Sequence, residues 1–492
     1  MAKLPDYLHG AYGVIYAEPN RSAANGRGAV VYIGTAPVHT VAGGGSNVNK
    51  PVLVRSINEA RKYFGYSDNW DDYTLCEAMK VHLEDRGVGP LVLINVLDPA
   101  THRAEEATSA QLTPVNGRVT IANAESVIFD TVRVTGKVAG TDYVAAYDYK
   151  KKVITITELT SGALGTTALT VTYNTVTPAA VTSAAVIGAS DGNGLNTGLY
   201  AIKNVEQETG FLPSYIVCPG FSSVPDVHTA MGEVSQKING HWDAWLFTDL
   251  PLKNGVTPLT LDTIGTYRTA NGYTLENETV SFPMVTGTDG KHYHLSVLRA
   301  ANFQALLIEN EGIPYHSASN TDCDIISNLW FGADNTGRVY DDSLINEKLN
   351  RIGIASAAFL GGRWCLWGAA AAAYDPNDQD DVSLNETNRM MLYYVSNDFQ
   401  HRRARDVDKP LTPADLQTMV AEEQARLEAL VKIGALTFGE AYINADYINR
   451  SDMRRGDYQF TFNVTTTPLA KSLRANVAWV DTGYEIYYDM AQ

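Results

Sequence analysis

SYIVCPGFSSVPDVHTAMGEVSQKINGHWDAWLFTD, residues 214–249, holds two short apolar runs with room for one helix between them. Ser214 to Cys218 predicts a strand, the span near 225–238 a helix, and Trp242 to Asp249 a second strand. Apolar runs this short suit strands covered on both faces, and an intervening helix is the crossover that parallel neighbours need. The pattern extends outward. A helix is expected near 197–209 and another near 260–270, with further apolar segments at 279–285 and 293–309. Upstream, Ala29 to Gly34 (AVVYIG) and Leu91 to Leu97 (LVLINVL) read as buried strands. Between them, Ser56 with Glu59 and Thr74 with Glu77 have the spacing of helix capping boxes, and Gly65 and Gly87 stand at the expected helix ends. Strands alternating with helices in this way predict an α/β fold with a mostly parallel, doubly wound sheet.

The texture changes twice. From about residue 108 the segments 118–122, 126–134, 142–149, 152–157 and 168–173 are β-branched or alternating, and no helical period appears. DYVAAYDYKKKVITIT reads as a hairpin turning at the lysines 150–152. This predicts a small all-β domain inserted into the sheet domain. Beyond about 376, Thr412-Pro413-Ala414-Asp415 starts a helix with proline at its first position. Leu416, Met419, Val420, Leu427, Leu430 and Val431 recur along it at helical spacing. Tyr458, Phe460, Phe462 and Val464 then alternate as one face of a strand, and Asn476 to Tyr488 is also strand-like. The first 26 residues are polar and turn-rich and read as an extended arm. The expected division is 1–26 as N-terminal arm, 27–107 and 188–375 as two parts of one α/β domain, and 108–187 as the β insertion. Residues 376–478 form an α+β domain and 479–492 a C-terminal arm.

With 492 residues, the chain suits about three domains. A net charge of -17 argues against nucleic-acid binding, which needs a basic surface. Cys76, Cys218, Cys323 and Cys365 lie far apart, with no C-x-x-C pair, so neither a zinc site nor a disulfide framework is expected. The opening Met1-Ala-Lys-Leu-Pro-Asp has no apolar core of a signal peptide, which suits assembly in a cytoplasm. Ile352 to Tyr374 is long and apolar enough to span a bilayer, but Arg363 sits at its centre. A buried strand followed by a helix is the expectation there, with no membrane insertion.

Several motifs touch on chemistry. Gly188-Ala-Ser190-Asp-Gly192 matches G-x-S-x-G, and the preceding SAAVI could be the strand a nucleophile elbow requires, although Gly192-Asn-Gly194 delays any helix. Cys218 closes a strand ahead of a helix bearing His228, a placement open to a Cys–His pair. A hydrolase using Ser190 or Cys218 is therefore the alternative function. Asp375-Pro-Asn377-Asp-Gln-Asp380-Asp381 lacks the glycine and glutamate of a calcium loop, and Gly43-Gly-Gly-Ser46 lacks the Gly-Lys-Ser/Thr of a phosphate loop. No metal or cofactor is expected. His401-Arg-Arg-Ala-Arg405 is the one concentrated basic run. Asp398, Asp406 and Asp408 flank it, so ion pairing within the chain competes with a partner contact through Arg402, Arg403 and Arg405.

Read in order, these parts resemble the contractile phage tail sheath family, which also serves R-type bacteriocins and related injection systems. The resemblance runs through Gly13-Val-Ile-Tyr-Ala-Glu-Pro-Asn-Arg21, Ile33-Gly-Thr-Ala36, Asn49-Lys-Pro-Val-Leu-Val54 and Ser56 to Gly65. It continues through Val186-Ile-Gly188 to Leu199, Val217-Cys-Pro-Gly220 and the strand-rich ending from Phe460 to Tyr488. Trp367-Gly-Ala-Ala-Ala371 departs from the family's Trp-Gly-Ala-Arg-Thr, so no role is carried there. The resemblance implies a subtilisin-like sheet domain without catalytic residues, and no enzymatic activity. It also implies homo-oligomeric hexameric rings stacked helically around an inner tail tube, with baseplate and tail terminator proteins as further partners. The expected location is a virion tail or injection particle, assembled in the host bacterial cytoplasm. Terminal arms would add strands to neighbouring subunits, and Val14, Ile15, Tyr16, Trp479, Tyr484, Ile486 and Tyr487 are the residues expected to carry that exchange. The weaker alternative from the same features is a surface-layer-like assembly protein.

Overall fold

Val30–Gly34 (β1) is buried at all five positions, because a strand with sheet neighbours on both sides and helices above and below has no solvent-facing side. It belongs to a computed structural model that describes residues 21–22, 29–333, 338–377, 382–443 and 454–491. Val52–Val54 (β2) and Leu91–Asn95 (β3) follow it in the same sheet. After the β insertion come Tyr215–Val217 (β4), Trp245–Asp249 (β5), Glu278–Ser281 (β6), Ile354–Leu360 (β7) and Arg363–Trp367 (β8). The eight strands lie in the order β8-β7-β6-β5-β4-β1-β3-β2. The strands from β7 to β3 are parallel neighbours, and each edge carries one antiparallel strand. Strand order reverses direction between β1 and β4, where open α/β sheets place their ligand crevice.

Helices cover both faces. Successive side chains of a strand point to opposite sides. On β5, Phe247 meets Phe303 of a helix spanning Leu295–Glu309, with ring centroids 5.5 Å apart. The next residue, Thr248, hydrogen-bonds Glu278, which pairs with His228 of another helix, Pro225–Val234. The apolar run of β1 follows from this double cover, whereas the buried polar residues of β6 are held by hydrogen bonds. Near β2, Ile57–Phe64 starts at Ser56, whose hydroxyl accepts the Glu59 N–H, while Glu59 reaches back to the N–H of Arg55. Gly65 ends that helix at φ 71, a left-handed geometry that costs glycine nothing.

Three expectations fail here. Thr74 and Glu77 do not form a capping box: Thr74 is itself helical, and tertiary partners claim both side chains. Residues 353–374 form no helix. Gly361 and Gly362 take φ 61 and 83 and turn β7 back into β8, so the second half becomes an edge strand, and the alanines after Trp367 pass into turns. Among the described residues no helix is long and apolar enough to cross a membrane. SAAVI is a short helix, Ser183–Ile187, and not a strand.

Residues 108–173 build two three-stranded antiparallel sheets. The hairpin Tyr143–Asp148/Val153–Glu158 turns through the expected lysines, with Lys152 at φ 55. The sheets enclose a core of their own around Val119, Ile154, Ile156 and Val171. The chain enters and leaves side by side, where Arg103 bridges Val176 and Ala104 N–H donates to Thr175 O. Glu125 fastens the module to the sheet region. Its carboxylate takes the Ser67 hydroxyl and pairs with Lys152 at 2.8 Å, and its carbonyl lies 2.8 Å from His39 Nε2.

The chain divides into two compact units between Gln417 and Thr418, later than the expected boundary at 376. The reason lies in Glu386–Arg403, which packs with the sheet unit. Glu386 pairs with Arg299, and Asn397 exchanges hydrogen bonds with the Asp243 backbone. The second unit contains most of the helix Pro413–Lys432, then an antiparallel pair, Leu436–Ile443 (β9) and Phe460–Thr466 (β10). Leu427 and Leu430 of the helix are buried.

The closed crevice and the exposed tail

Gly34 and Gly220 flank the point where strand order reverses, and both owe their lack of a side chain to Thr74. A Cβ on Gly34 would collide with the Thr74 hydroxyl, and one on Gly220 would lie 3.0 Å from its methyl. Thr74 is held there reciprocally: its N–H donates to Thr35 Oγ1 at 3.1 Å, and its own Oγ1 accepts the Thr35 N–H at 3.3 Å. The place where such a sheet would open a ligand crevice is thus filled by its own chain.

Beside this plug lies a buried group of polar residues. His294 Nδ1 sits 2.7 Å from Glu77 Oε2, and its backbone N–H donates to Glu77 Oε1 at 2.7 Å. Ser296 gives both its hydroxyl and its N–H to Asp249. Two carboxylates therefore cap the N-terminus of Leu295–Glu309, where exposed N–H groups favour negative charge. A serine, a histidine and two acids are all present, yet the serine is bound to an aspartate and the imidazole to a glutamate. No nucleophile–base pair results. Burial alone would lower the His294 pKa, but the Glu77 charge and hydrogen bond, aided by Asp249, raise it from 6.5 to about 9. A base whose pKa rises on folding stabilises in full below its unfolded value and loses that contribution as pH climbs through the folded one. The unfolding free energy of the wild type should therefore fall by a few kcal/mol between pH 6.5 and 9.5, one pKa unit being worth about 1.4 kcal/mol. Urea titrations across that range test this, and His294→Gln should flatten the decline.

The hydrolase candidates are not assembled. Ser190 is exposed in a loop after the short helix, bridged to Asn196, so the strand–turn–helix strain of a nucleophile elbow is missing. Cys218 is fully buried, and burial pushes its thiol far up. His228 is engaged elsewhere, 2.8 Å from Glu278 and stacked on Tyr273 at 3.9 Å. Burial likewise lifts Cys76 to about 12 and Cys323 to about 11. All four cysteines are free and buried, so thiol reagents should modify the native protein at least about a hundredfold more slowly than the denatured chain, in which all four react.

The C-terminal tail is the reverse of this closed interior. Leu473, Val477 and Trp479 are 91%, 93% and 79% exposed, with Tyr484 and Tyr487 exposed as well. The strand expected over 476–488 is absent. Residues 467–480 have no regular structure, and Thr482–Tyr484 and Glu485–Asp489, which includes Ile486, form short helical turns. A strand exists only through its ladder, and no described strand pairs with this segment. Val14, Ile15 and Tyr16 lie outside the described residues; Arg21–Ser22 pairs with Val88–Gly89. In the basic run, Arg402 Nε donates to Asp398 at 2.8 Å and Arg403 pairs with Asp406 at 3.4 Å, while Arg405 is exposed. No sequence pattern points to Gln424, whose carboxamide reaches the backbone of β9.

No family model matches the sequence. The chain is 24% identical over 480 residues to the tail sheath protein of Burkholderia phage BcepMu, covering 94% of each. Its fold is similar to a chain of the anti-feeding prophage baseplate (TM-score 0.55, 12% identity, covering 96% of this chain and 99% of that one). It is also similar to the sheath complex, in the contracted state, of the extracellular contractile injection system PVC (TM-score 0.56, 11% identity, 98% and 100%). A sheath tail protein from Desulfitobacterium hafniense gives a TM-score of 0.50 at 12% identity, with coverage of 89% and 94%. Along nearly its whole length the chain is thus similar to a contractile tail sheath protein, in sequence and in fold.

Proposed function

We propose that this chain is the structural subunit of a contractile sheath, assembling as hexameric rings stacked helically around an inner tube and contracting to drive that tube through a target envelope. The observation that carries the reading is the match to a phage tail sheath protein along 94% of both chains. In this reading residues 27–107 and 188–375 form one subtilisin-like, doubly wound domain, and the β insertion 108–187 faces outward. The C-terminal unit, from Thr418 onward, faces the tube. Terminal arms, through Val14, Ile15, Tyr16, Trp479, Tyr484, Ile486 and Tyr487, add strands to neighbouring copies, and Arg405 is available to an acidic partner surface.

The physics supports such a mesh. Main-chain hydrogen bonds across exchanged strands, each worth about 0.5–1.5 kcal/mol net, hold copies together while folded units shift as rigid bodies. Contraction is then a downhill step from a metastable extended assembly, driven by new contacts between subunits. Baseplate and terminator proteins bound the sheath, and the particle is a virion tail or injection device assembled in a bacterial cytoplasm. Electron microscopy of the purified protein mixed with its tube protein tests this: rings, sleeves or tube-bound stacks are expected. A chain that stays monomeric at high concentration, with and without the tube, would overturn the reading.

A further inference from the structure

Gln424 lies on the helix Pro413–Lys432, one turn before Leu427, and its carboxamide binds backbone. Nε2 donates to Gly439 O at 3.2 Å, and Oε1 accepts the Ala441 N–H at 2.9 Å. In an antiparallel pair, backbone groups of alternate residues face the partner strand and those between them face outward. Gly439 and Ala441 therefore show outward-facing groups on β9, and Gln424 has taken one acceptor and one donor of that edge. The approach is close, since a Cβ on Gly439 would lie 2.8 Å from Leu427 Cβ. Among the described residues β9 and β10 form a two-stranded sheet.

We propose that Gln424 guards this edge: in the lone subunit its side-chain amide stands in for one peptide group of an incoming strand, and residues 473–479 of a second copy displace it. The inference rests on the strand-exchange reading above and adds its regulation. The occupant is identified by its pattern. Leu473, Ala475, Val477 and Trp479 alternate with Arg474, Asn476 and Ala478, a strand's period in a segment that is exposed throughout and forms no strand in its own subunit. Such a segment needs a sheet edge, and an exposed edge left bare recruits strands indiscriminately. A single amide blocks the edge against accidental pairing yet yields to a strand that brings several peptide groups at once.

The test is self-association of the purified full-length chain without tube protein, followed by sedimentation. Gln424→Leu keeps the helix and removes both hydrogen bonds, so its critical concentration should fall at least about tenfold below wild type. Gln424→Glu keeps an acceptor for Ala441 but sets a carboxylate against the Gly439 carbonyl. It should shift the threshold the same way by a smaller factor, and it decides the matter if Gln424→Leu fails to fold. Unchanged thresholds in the folded variants, with assembly still lost on deleting residues 473–492, would overturn the guard and leave strand exchange standing. Assembly that survives the deletion would instead remove the strand-exchange reading itself.

Discussion

Glu386→Ala should destabilise the sheet-bearing unit by about 3–5 kcal/mol, the cost of leaving a buried charge without its partner. Glu386 is fully buried and Arg299 is 1% exposed, with Arg299 Nη2 2.8 Å from Glu386 Oε1. Four segments meet at this carboxylate. Thr279 of β6 donates to it at 2.6 Å, Ser317 at 2.5 Å, and Arg299 also donates to Gly368 O at 2.5 Å, next to the Glu386 N–H donating to Ala369 O. Truncation therefore strands a guanidinium and two hydroxyls at once. Denaturant unfolding measures the loss. Replacing both partners, as in Arg299→Met with Glu386→Leu, should recover most of it, because a buried pair is worth little against apolar groups of similar volume. A double variant as unstable as the single one would show that the cost lies in packing and not in charge.

Removing residues 479–492 should have the opposite signature, abolishing sleeves while leaving the subunit folded. Trp479, Val480, Tyr484, Tyr487 and Met490 are exposed, so their loss uncovers little apolar surface and should change unfolding free energy by no more than about 0.5 kcal/mol. In the assembly this segment would continue the strand that residues 473–479 begin and anchor it with its aromatic side chains at every subunit contact, so the loss repeats around each ring. Removal of residues 1–20 should act similarly. Negative-stain microscopy and sedimentation report both outcomes, and normal sleeve yields from both truncations would falsify strand exchange.

What the sequence disclosed depends on where the determining forces lie. Apolar runs such as Val30–Gly34 and residues 91–94 announce strands covered on both faces, and three lysines between alternating segments mark a hairpin. Signals fail when a distant partner decides. Thr74 and Glu77 have cap spacing, but the Thr74 hydroxyl accepts the Thr35 N–H and the Glu77 carboxylate is taken by His294. The alanines after Trp367 suggested a helix, whereas the Gly361-Gly362 turn and pairing with β7 govern the preceding residues. Glu386–Arg403 showed no stripe because its buried and half-buried positions are distributed around the helix. Asn476 to Tyr488 has a strand's pattern, but no described strand pairs with it. The Gln424 contact was invisible for a simpler reason: a lone glutamine on a polar helix has no pattern to read.

The side-by-side entry and exit of the β insertion gives this chain a practical freedom. Because Arg103 and Val176 are already neighbours, a turn of a few residues joined there would close the chain without stretching the parallel sheet. The module, with its self-sufficient interior, can be exchanged for another of any size whose two ends meet. Recombination could therefore exchange the module, and an engineer could graft a reporter at the same seam, without altering the parallel sheet beneath.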